Sequence, residues 1–365
     1  MKIKRAKLYK VEIPMITDYT SGVWSISRNP VVIVRIETEC GRTTYGESPC
    51  RLQAAHPIDD NRCITALQEA LPSLLARDFS SPADCMQAIE KHVAFRLART
   101  GLETACWAAF CAIRGISLAQ LLGGERERIA VGESVNIKHS LEEVCAEVEM
   151  RLRQNFRRIK LKIKPGWDLD VVKAVRETFP SISLMVDGNA LYTLDDLQLF
   201  QEMDRFHLLM IENPFEGIEA HAVLQQQIQT PICLDECIHS VHDVRNAIAH
   251  HACHIINIKP GKVGGLLESK KIHDLCFQHE IGVWCGGMLE TSIGRAFNIA
   301  LSSLPNFVYP ADMSPPHFYY SDDLVKERFV VDSQGYVSVP SQAGPGFYVD
   351  EDKLDQYTTS AVAFY

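Results

Sequence analysis

The middle of the chain contains five short apolar runs, RIKLK (158–162), ISLMVD (182–187), LLMIE (208–212), PICLD (231–235) and HIINIK (254–259). Each run ends in a charged residue, namely Lys162, Asp187, Glu212, Asp235 and Lys259, at steps of 25, 25, 23 and 24 residues. One strand, one helix and their loops occupy about 30 residues of a (β/α)8 barrel, in which the C-terminal ends of the strands gather at one mouth. The spacing therefore predicts a common pocket lined by three carboxylates and flanked by two lysines.

The flanking sequence extends this pattern to eight strand-like runs that alternate with helical segments. The three further runs read IAVGESVNI (129–137), IGVWCGGM (281–288) and NFVYPAD (306–312). Alternating β and α elements favour a parallel sheet. Eight strands favour its closure into a barrel over an open sheet.

The first 124 residues follow a different pattern. Three runs alternate between polar and apolar residues and predict antiparallel strands: KIKRAKLYKVEIP (2–14), PVVIVRIET (30–38) and TTYGESP (43–49). Residues 61–124 carry apolar residues at helical spacing. The polar, glycine-containing stretch from Thr17 to Arg28 joins the first two strands and is a natural place for a mobile loop.

Composition excludes several classes of function. The 365 residues are 46% hydrophobic and carry a net charge of −9 without a basic block, so we expect neither a nucleic acid nor a membrane partner. We find no signal-peptide core and no apolar run of 18 residues, and the twelve cysteines lack zinc-site spacing. We expect a cytoplasmic protein with cysteines as core residues. Independently of composition, we expect a small-molecule carboxylate as substrate and a homo-oligomeric assembly.

The lysines have both an ordinary and a catalytic interpretation. Alternation along RIKLKIK places Lys160, Lys162 and Lys164 on one strand face, which taken alone indicates a solvated surface. Inside a barrel, loss of solvation lowers a lysine pKa toward the range of a general base. Lys162 is then the better candidate, because Lys160 lies deeper in the strand and Lys164 beyond it. Lys259, four strands further on, faces Lys162 across the mouth.

The three carboxylates predict a metal site. A single carboxylate at a strand end is more often a cap or a surface charge. Asp187, Glu212 and Asp235 in one mouth would repel one another unless a cation neutralised them, and oxygen ligands suit Mg²⁺, with Mn²⁺ or another divalent ion as alternatives. Schiff-base chemistry on a lysine needs no metal and leaves these carboxylates unexplained.

Further residues are candidates for substrate binding or for support of the metal ligands. The glycines of CGGMLET (285–291) permit close approach of the backbone to a ligand, although a plain tight turn explains them equally well. The candidates are Lys160, Asn189, Glu236, Asn257, Gly286, Gly287 and Met288.

This constellation resembles the enolase superfamily and its muconate-lactonizing branch. Four longer segments look very similar to the o-succinylbenzoate synthase / N-acylamino acid (N-succinylamino acid) racemase family: RRIKLKIKPGWD (157–168), PICLDECI (231–238), INIKPGKVGG (256–265) and VWCGGMLETSIGRAFNIALSSLPNF (283–307). The resemblance implies an α/β fold with a modified (β/α)8 barrel of the form (β/α)7β in residues 125–324. It also implies an α+β capping domain in residues 1–124, with a C-terminal return in residues 325–365.

The resemblance also implies roles for the charged residues. Lys162 and Lys259 would be the acid/base pair, Asp187, Glu212 and Asp235 the Mg²⁺ ligands, and Thr17 to Arg28 the substrate-covering loop. The chain departs from the family at Lys164, at Trp107-Ala108, at MSPPHFYY (313–320) and at Lys262, where racemizing members have arginine.

Two enzymatic hypotheses and one structural hypothesis follow. The first is o-succinylbenzoate synthase, a lyase of menaquinone biosynthesis that removes water in a syn sense through an enediolate. The second is N-acylamino acid or N-succinylamino acid racemase, in which the two lysines exchange protons on opposite faces. The third, a non-catalytic metal-binding scaffold, predicts lost site residues, whereas all five are present.

Overall fold

The computed structural model describes residues 1–21, 24–51, 58–75 and 77–365. In chain order, the strands are β1 (Ile3–Ser21), β2 (Trp24–Thr38), β3 (Thr43–Pro49), β4 (Arg128–Ala130), β5 (Gly132–Val135), β6 (Arg158–Lys162), β7 (Leu184–Asp187), β8 (Ile211–Glu212), β9 (Ile232–Leu234), β10 (Ile255–Ile258), β11 (Gly282–Cys285), β12 (Tyr336–Ser338) and β13 (Thr358–Phe364). The α-helices are α1 (Asp60–Leu75), α2 (Pro82–His92), α3 (Arg96–Arg114), α4 (Leu118–Leu122), α5 (Leu141–Arg153), α6 (Leu169–Thr178), α7 (Leu197–Met203), α8 (Ile218–Gln225), α9 (Val241–Ala249), α10 (Pro260–Val263), α11 (Leu266–Gln278), α12 (Ser292–Ser302) and α13 (Glu351–Tyr357).

The three N-terminal strands form an antiparallel sheet with the last strand of the chain, in the order β13-β1-β2-β3. The largely buried helix α3 packs against β3. Two glycines permit this contact, since a Cβ on Gly46 would lie 2.1 Å from the carbonyl oxygen of Gly101. The antiparallel sheet and its covering helices agree with the predicted α+β capping fold, while the boundaries at residues 124 and 324 remain predictions.

Seven parallel strands form the second sheet, in the order β11-β10-β9-β8-β7-β6-β5. The eighth predicted run, Asn306–Asp312, connects the two edges of this sheet through isolated hydrogen bonds instead of a regular strand. The amide of Val308 donates to Val283 of β11 at 3.1 Å, and the amide of Gly132 in β5 donates to Ala311 at 2.8 Å. Seven strand–helix units followed by this segment confirm the predicted modified barrel.

The barrel interior is layered because side chains two residues apart on a strand point the same way. An apolar floor is formed by Met185, Met210, Cys233, Ile255 and Trp284. Two residues further along the same chain segments, the next layer consists of Asp187, Glu212, Asp235, Asn257 and Gly286. Four of these five segments thus change from apolar to polar side chains within one alternation, and the fifth changes from Trp284 to Gly286, at the C-terminal end where the fold places a site.

The prediction of a loop from Thr17 to Arg28 was wrong for the backbone that the structure describes. β1 extends to Ser21 and β2 begins at Trp24, so most of the stretch lies in two paired strands, and Gly22 and Val23 lie outside the described residues. Pairing of β1 with β2 is interrupted between Pro14 and Tyr19. There Met15 of β1 pairs instead with Tyr320 of the segment that follows the barrel.

Two general expectations concern the whole chain. All twelve cysteines lie in described parts of the structure, and nine of them are buried, as expected of core residues. Among the helices built from described residues, none has the length and apolar character needed to cross a bilayer.

Candidate active site

The first side of the site is formed by β6 and β7, which pair in parallel with Lys162 opposite Asp187. The Nζ of Lys162 lies 2.5 Å from Oδ2 of Asp187 and donates to Oδ1 of Asn189 at 2.8 Å. Asn189 has a φ of 44°, a left-handed conformation that asparagine tolerates well. Burial opposes ionisation of Asp187, but the charges of Lys162 and Lys160 outweigh it and hold the pKa of that carboxyl below its usual value.

Glu212 lies at the centre of the polar layer and is fully buried. It accepts hydrogen bonds from Nζ of Lys160 at 3.2 Å and from Nδ2 of Asn257 at 2.7 Å. Burial and then the negative charge of Asp187 raise the pKa of Glu212 to about 8, despite the nearby ammonium of Lys160. The carboxylates are therefore close enough to destabilise one another's charged forms.

On the opposite side of the barrel, two lysines contact the two oxygens of Asp235. The Nζ of Lys259 lies 2.5 Å from Oδ2, and Lys262 donates to Oδ1 and to the backbone carbonyl of Asp235. Burial opposes ionisation of Asp235, but both ammonium groups outweigh it and keep the pKa of this carboxyl well below its usual value. Asn213 adds a further contact, since its Oδ1 accepts from the Asp235 amide at 3.0 Å.

The expected lowering of a buried lysine pKa does not occur at Lys259. Burial does lower the pKa, but the carboxylates of Asp235, Glu212 and Glu236 outweigh it, so the pKa of Lys259 is raised. Desolvation alone predicts a lowered pKa, but the fold also brings the paired acids to the same layer. The lysine is therefore held as an ammonium in this ion-paired arrangement.

Most of the predicted supporting residues converge on the same layer. Asn189 donates to Glu236 at 2.9 Å as well as contacting Lys162, so it links two parts of the site. Gly286 lies against the opposite lysine, because a Cβ there would be 2.6 Å from Cε of Lys259. Lys160 and Asn257 both contact Glu212, and Lys164 is exposed beyond the strand, as predicted.

Gly287 and Met288 lie further from the carboxylates. A Cβ on Gly287 would face the guanidinium of Arg295 at 3.0 Å, and the sulfur of Met288 lies beside Gly261. The amide of Met288 donates to Glu290 at 3.0 Å. These two residues therefore form the wall next to the capping sheet and contribute no contact to the three acids.

The sequence analysis missed Asp312, which ends the eighth run. Its carboxylate lies 2.6 Å from Arg158 and 2.9 Å from Lys160. Burial opposes its ionisation, but Lys160 and Arg158 hold the pKa of Asp312 well below its usual value. The rule that selected Asp187, Glu212 and Asp235, a carboxylate at the end of an apolar run, also selects Asp312 when it is applied to NFVYPAD.

The predicted metal ligands have suitable chemistry but are turned toward lysines. Across the described residues, no group of three or more His, Cys, Asp or Glu side chains is arranged to hold a metal ion. The donor set is nevertheless oxygen only, which suits a hard divalent cation. Two buried oxygens, Oδ1 of Asn257 and Oε2 of Glu236, have no hydrogen-bond partner. Such atoms fit a site that is completed by a bound group.

Comparison with known proteins places this geometry in a family. Residues 6–123 match the mandelate racemase / muconate lactonizing enzyme N-terminal domain, and residues 143–353 match the enolase C-terminal domain-like family. A Bacillus subtilis protein named o-succinylbenzoate synthase is 38% identical over 100% of this chain and 99% of its own length. An Amycolatopsis protein named N-succinylamino acid racemase is also 38% identical, over 99% of each chain.

Solved structures agree with the sequence relatives. The crystal structure of an enolase superfamily member from Listeria innocua superposes with a TM-score of 0.95 at 35% identity, covering 100% of this chain and 99% of that one. The chain belongs to the mandelate racemase / muconate lactonizing enzyme family of the enolase superfamily.

Proposed function

We propose that the protein is an o-succinylbenzoate synthase, a lyase that removes water from a cyclohexadiene carboxylate in menaquinone biosynthesis. The observation that carries the proposal is the pair of ammonium groups on opposite strands of one mouth. Lys162 ends β6 and Lys259 follows β10, with the buried acids Asp187, Glu212 and Asp235 between them. The Bacillus subtilis relative of that name, aligned over 100% of this chain, supports the assignment.

In the proposed reaction, neutral Lys162 takes the proton from the carbon next to the substrate carboxylate, and the C–H electron pair moves toward that carboxylate. The same lysine, now an ammonium, gives the proton to the hydroxyl leaving from the same face, so a C–O bond breaks, a C=C bond forms and water departs. Before this step, Lys162 must give up one proton and its contacts with Asp187 and Asn189. Lys259, held as an ammonium, balances the charge that develops on the substrate.

We also propose that Asp187, Glu212 and Asp235 bind Mg²⁺. When bound, the ion would supply positive charge beside the substrate carboxylate as that group gains negative charge. The three acids provide carboxylate oxygens. Asn257 and Glu236 each add a buried oxygen, Oδ1 and Oε2, that has no hydrogen-bond partner. Dialysis against a chelator should abolish turnover, and added Mg²⁺ should restore it.

The experiment compares Lys162→Ala with Lys164→Ala in the Mg²⁺-supplemented enzyme. Loss of an acid/base group costs roughly 10²–10⁴-fold in kcat, so Lys162→Ala should fall by at least two orders of magnitude. Lys164 is exposed on the same chain segment and serves as the matched control, with turnover expected within twofold of wild type. Equal activity of the two variants would contradict the assignment.

N-succinylamino acid racemase is the second candidate, since the Amycolatopsis relative is as similar as the Bacillus one and the lysines face each other across the mouth. Incubation of each enantiomer in deuterated water separates the candidates. A racemase exchanges the α-proton of both enantiomers, and exchange without dehydration of the cyclohexadiene substrate would exclude the synthase. Lys262, where racemizing members have arginine, favours the synthase.

A further inference from the structure

The carbonyl of Leu289 is the centre of a small buried hydrogen-bond triangle. Nδ2 of Asn29 donates to this carbonyl at 3.0 Å and to the hydroxyl of Tyr320 at 2.8 Å, and that hydroxyl in turn donates to Leu289 at 2.5 Å. Both protons of the Asn29 amide nitrogen and the single hydroxyl proton of Tyr320 are therefore engaged in hydrogen bonds. Asn29 is 7% exposed and Tyr320 is 2% exposed, so water competes little for these groups.

Leu289 has an unusual backbone conformation that these contacts explain. Its φ is 58°, in the left-handed region that branched and bulky side chains seldom occupy. Such a conformation persists when the surrounding structure fixes it, and it is common beside ligand sites. The two hydrogen bonds to the Leu289 carbonyl, together with the bond from the Met288 amide to Glu290, hold both sides of this residue.

The triangle joins three separate parts of the molecule. Asn29 belongs to β2 of the capping sheet, Leu289 follows the seventh barrel strand, and Tyr320 lies in the segment after the barrel. The last segment is itself fixed to the capping sheet, since the amide of Ile16 donates to the carbonyl of Tyr319 at 2.9 Å. The position of the Leu289 carbonyl is thus set by the capping sheet and not by the barrel alone.

The backbone just before Leu289 forms the wall of the proposed site. Gly286 lies against Asn257 and Lys259. Only two residues separate it from Leu289, so a shift of the Leu289 carbonyl moves the wall with it. We propose that Asn29 and Tyr320 are positioning residues that hold the Gly286–Met288 backbone through the Leu289 carbonyl, and so fix the substrate on the Lys259 side of the mouth. This inference rests on the proposed function.

The test compares Tyr320→Phe, Asn29→Ala and the double variant with wild type on the synthase and racemase substrates. Loss of the Tyr320 hydroxyl should raise KM about fivefold to tenfold, with kcat within twofold, since the wall shifts while Lys162 on the far side keeps its contacts. Because the two residues share one triangle, the double variant should be far less impaired than the product of the single effects. Tyr45→Phe is the matched control, a buried capping-sheet tyrosine whose hydroxyl donates to Glu351, and its KM should not change.

Each result is decisive. An unchanged KM in both single variants, or multiplicative effects in the double variant, would overturn the inference in an enzyme that remains active. Equal losses of kcat and thermal stability without a change in KM would indicate a purely structural role and overturn it as well. Should Tyr320→Phe fail to fold, the KM of Asn29→Ala tests the inference, because this variant keeps the hydrogen bond from the Tyr320 hydroxyl to the Leu289 carbonyl. A wild-type chain inactive on both substrates would instead refute the proposed function.

Discussion

A single methyl group added at Gly286 should disable the site without unfolding the barrel. The Cβ of Gly286→Ala would lie 2.5 Å from Oδ1 of Asn257 and 2.6 Å from Cε of Lys259. Ordinary contacts between such atoms begin near 3.5 Å, so these side chains must move by about 1 Å. The backbone of Gly286 is outside the left-handed region, so the alanine itself adds no conformational strain.

A misplacement of about 1 Å in a catalytic group costs on the order of 10²-fold in rate. We therefore expect kcat of Gly286→Ala to fall about a hundredfold, while circular dichroism and the melting temperature show a folded protein. Steady-state turnover of the synthase substrate measures kcat. In deuterated water, exchange of one enantiomer of an N-succinylamino acid should fall more than that of the other, because of the two proposed acid/base lysines Lys259 is displaced and Lys162 is not.

Gly282 provides a matched control on the same strand, β11. Gly282 lies four positions before Gly286, and a Cβ on it would lie 2.6 Å from the ring of Tyr309. Gly282→Ala should lower stability but leave kcat within about threefold of wild type. A kcat for Gly286→Ala within threefold of wild type, or equal losses in both variants, would refute the proposed placement of Lys259.

Two further predictions concern Asp312, a part-buried acid whose cationic partners are buried, and the buried acid Glu103. Asp312→Asn removes the charge that pairs with Arg158 and Lys160, and it should lower the free energy of unfolding in urea by about 3 kcal/mol, because buried cations lose their partner. Burial raises the pKa of Glu103 to about 7 from 4.5, so the folded form keeps a proton that the unfolded chain releases. Stability should therefore decline between about pH 4.5 and 7, by up to about 3 kcal/mol from this group, and Glu103→Gln should flatten that decline in urea titrations.

Exposed acids provide the controls for both predictions. Glu39→Gln breaks a surface pair with Lys2 and should cost less than about 0.5 kcal/mol. A cost for Asp312→Asn no greater than this would refute its role as the partner of buried cations. Glu149→Gln, on the exposed face of α5, should leave the pH profile unchanged. An equally steep profile in Glu103→Gln would show that other groups cause the decline.

Strand alternation and parallel pairing allow the sequence to predict which side chains share a layer of the barrel, while the roles assigned to those side chains stay predictions. Since β7 and β8 pair with Asp187 opposite Glu212, two charges 25 residues apart in the chain become neighbours in the layer. The spacing of one strand–helix unit contains that information, because each unit advances the chain by one strand around the barrel. The position of Lys259 across from Lys162 follows from the same count of strands.

Other features depend on contacts that no local pattern contains. The eighth segment joins both barrel edges with isolated bonds, and the β1–β2 hairpin continues through a polar stretch that read as a loop. The pKa of Lys259 depends on which acids the fold places around it, so desolvation alone gave the wrong direction. The Leu289 triangle joins Asn29 to a residue 291 positions away in sequence. Long-range pairing of this kind is set by tertiary structure.

The concentration of charge in the mouth is itself an argument for function. Each acid of this cluster has an ammonium within 3.2 Å: the buried Asp187 with Lys162, Glu212 with Lys160 and Asp235 with Lys259, and the part-buried Asp312 with Lys160. Buried ion pairs seldom stabilise a fold better than apolar side chains of equal volume would. The apolar floor directly beneath shows that the same strands accommodate such side chains one alternation earlier. Stability therefore gives no reason for the change from Met185 to Asp187 or from Cys233 to Asp235. The proposed function does give a reason, since it requires a carboxylate substrate to be held and protons to be moved beside it.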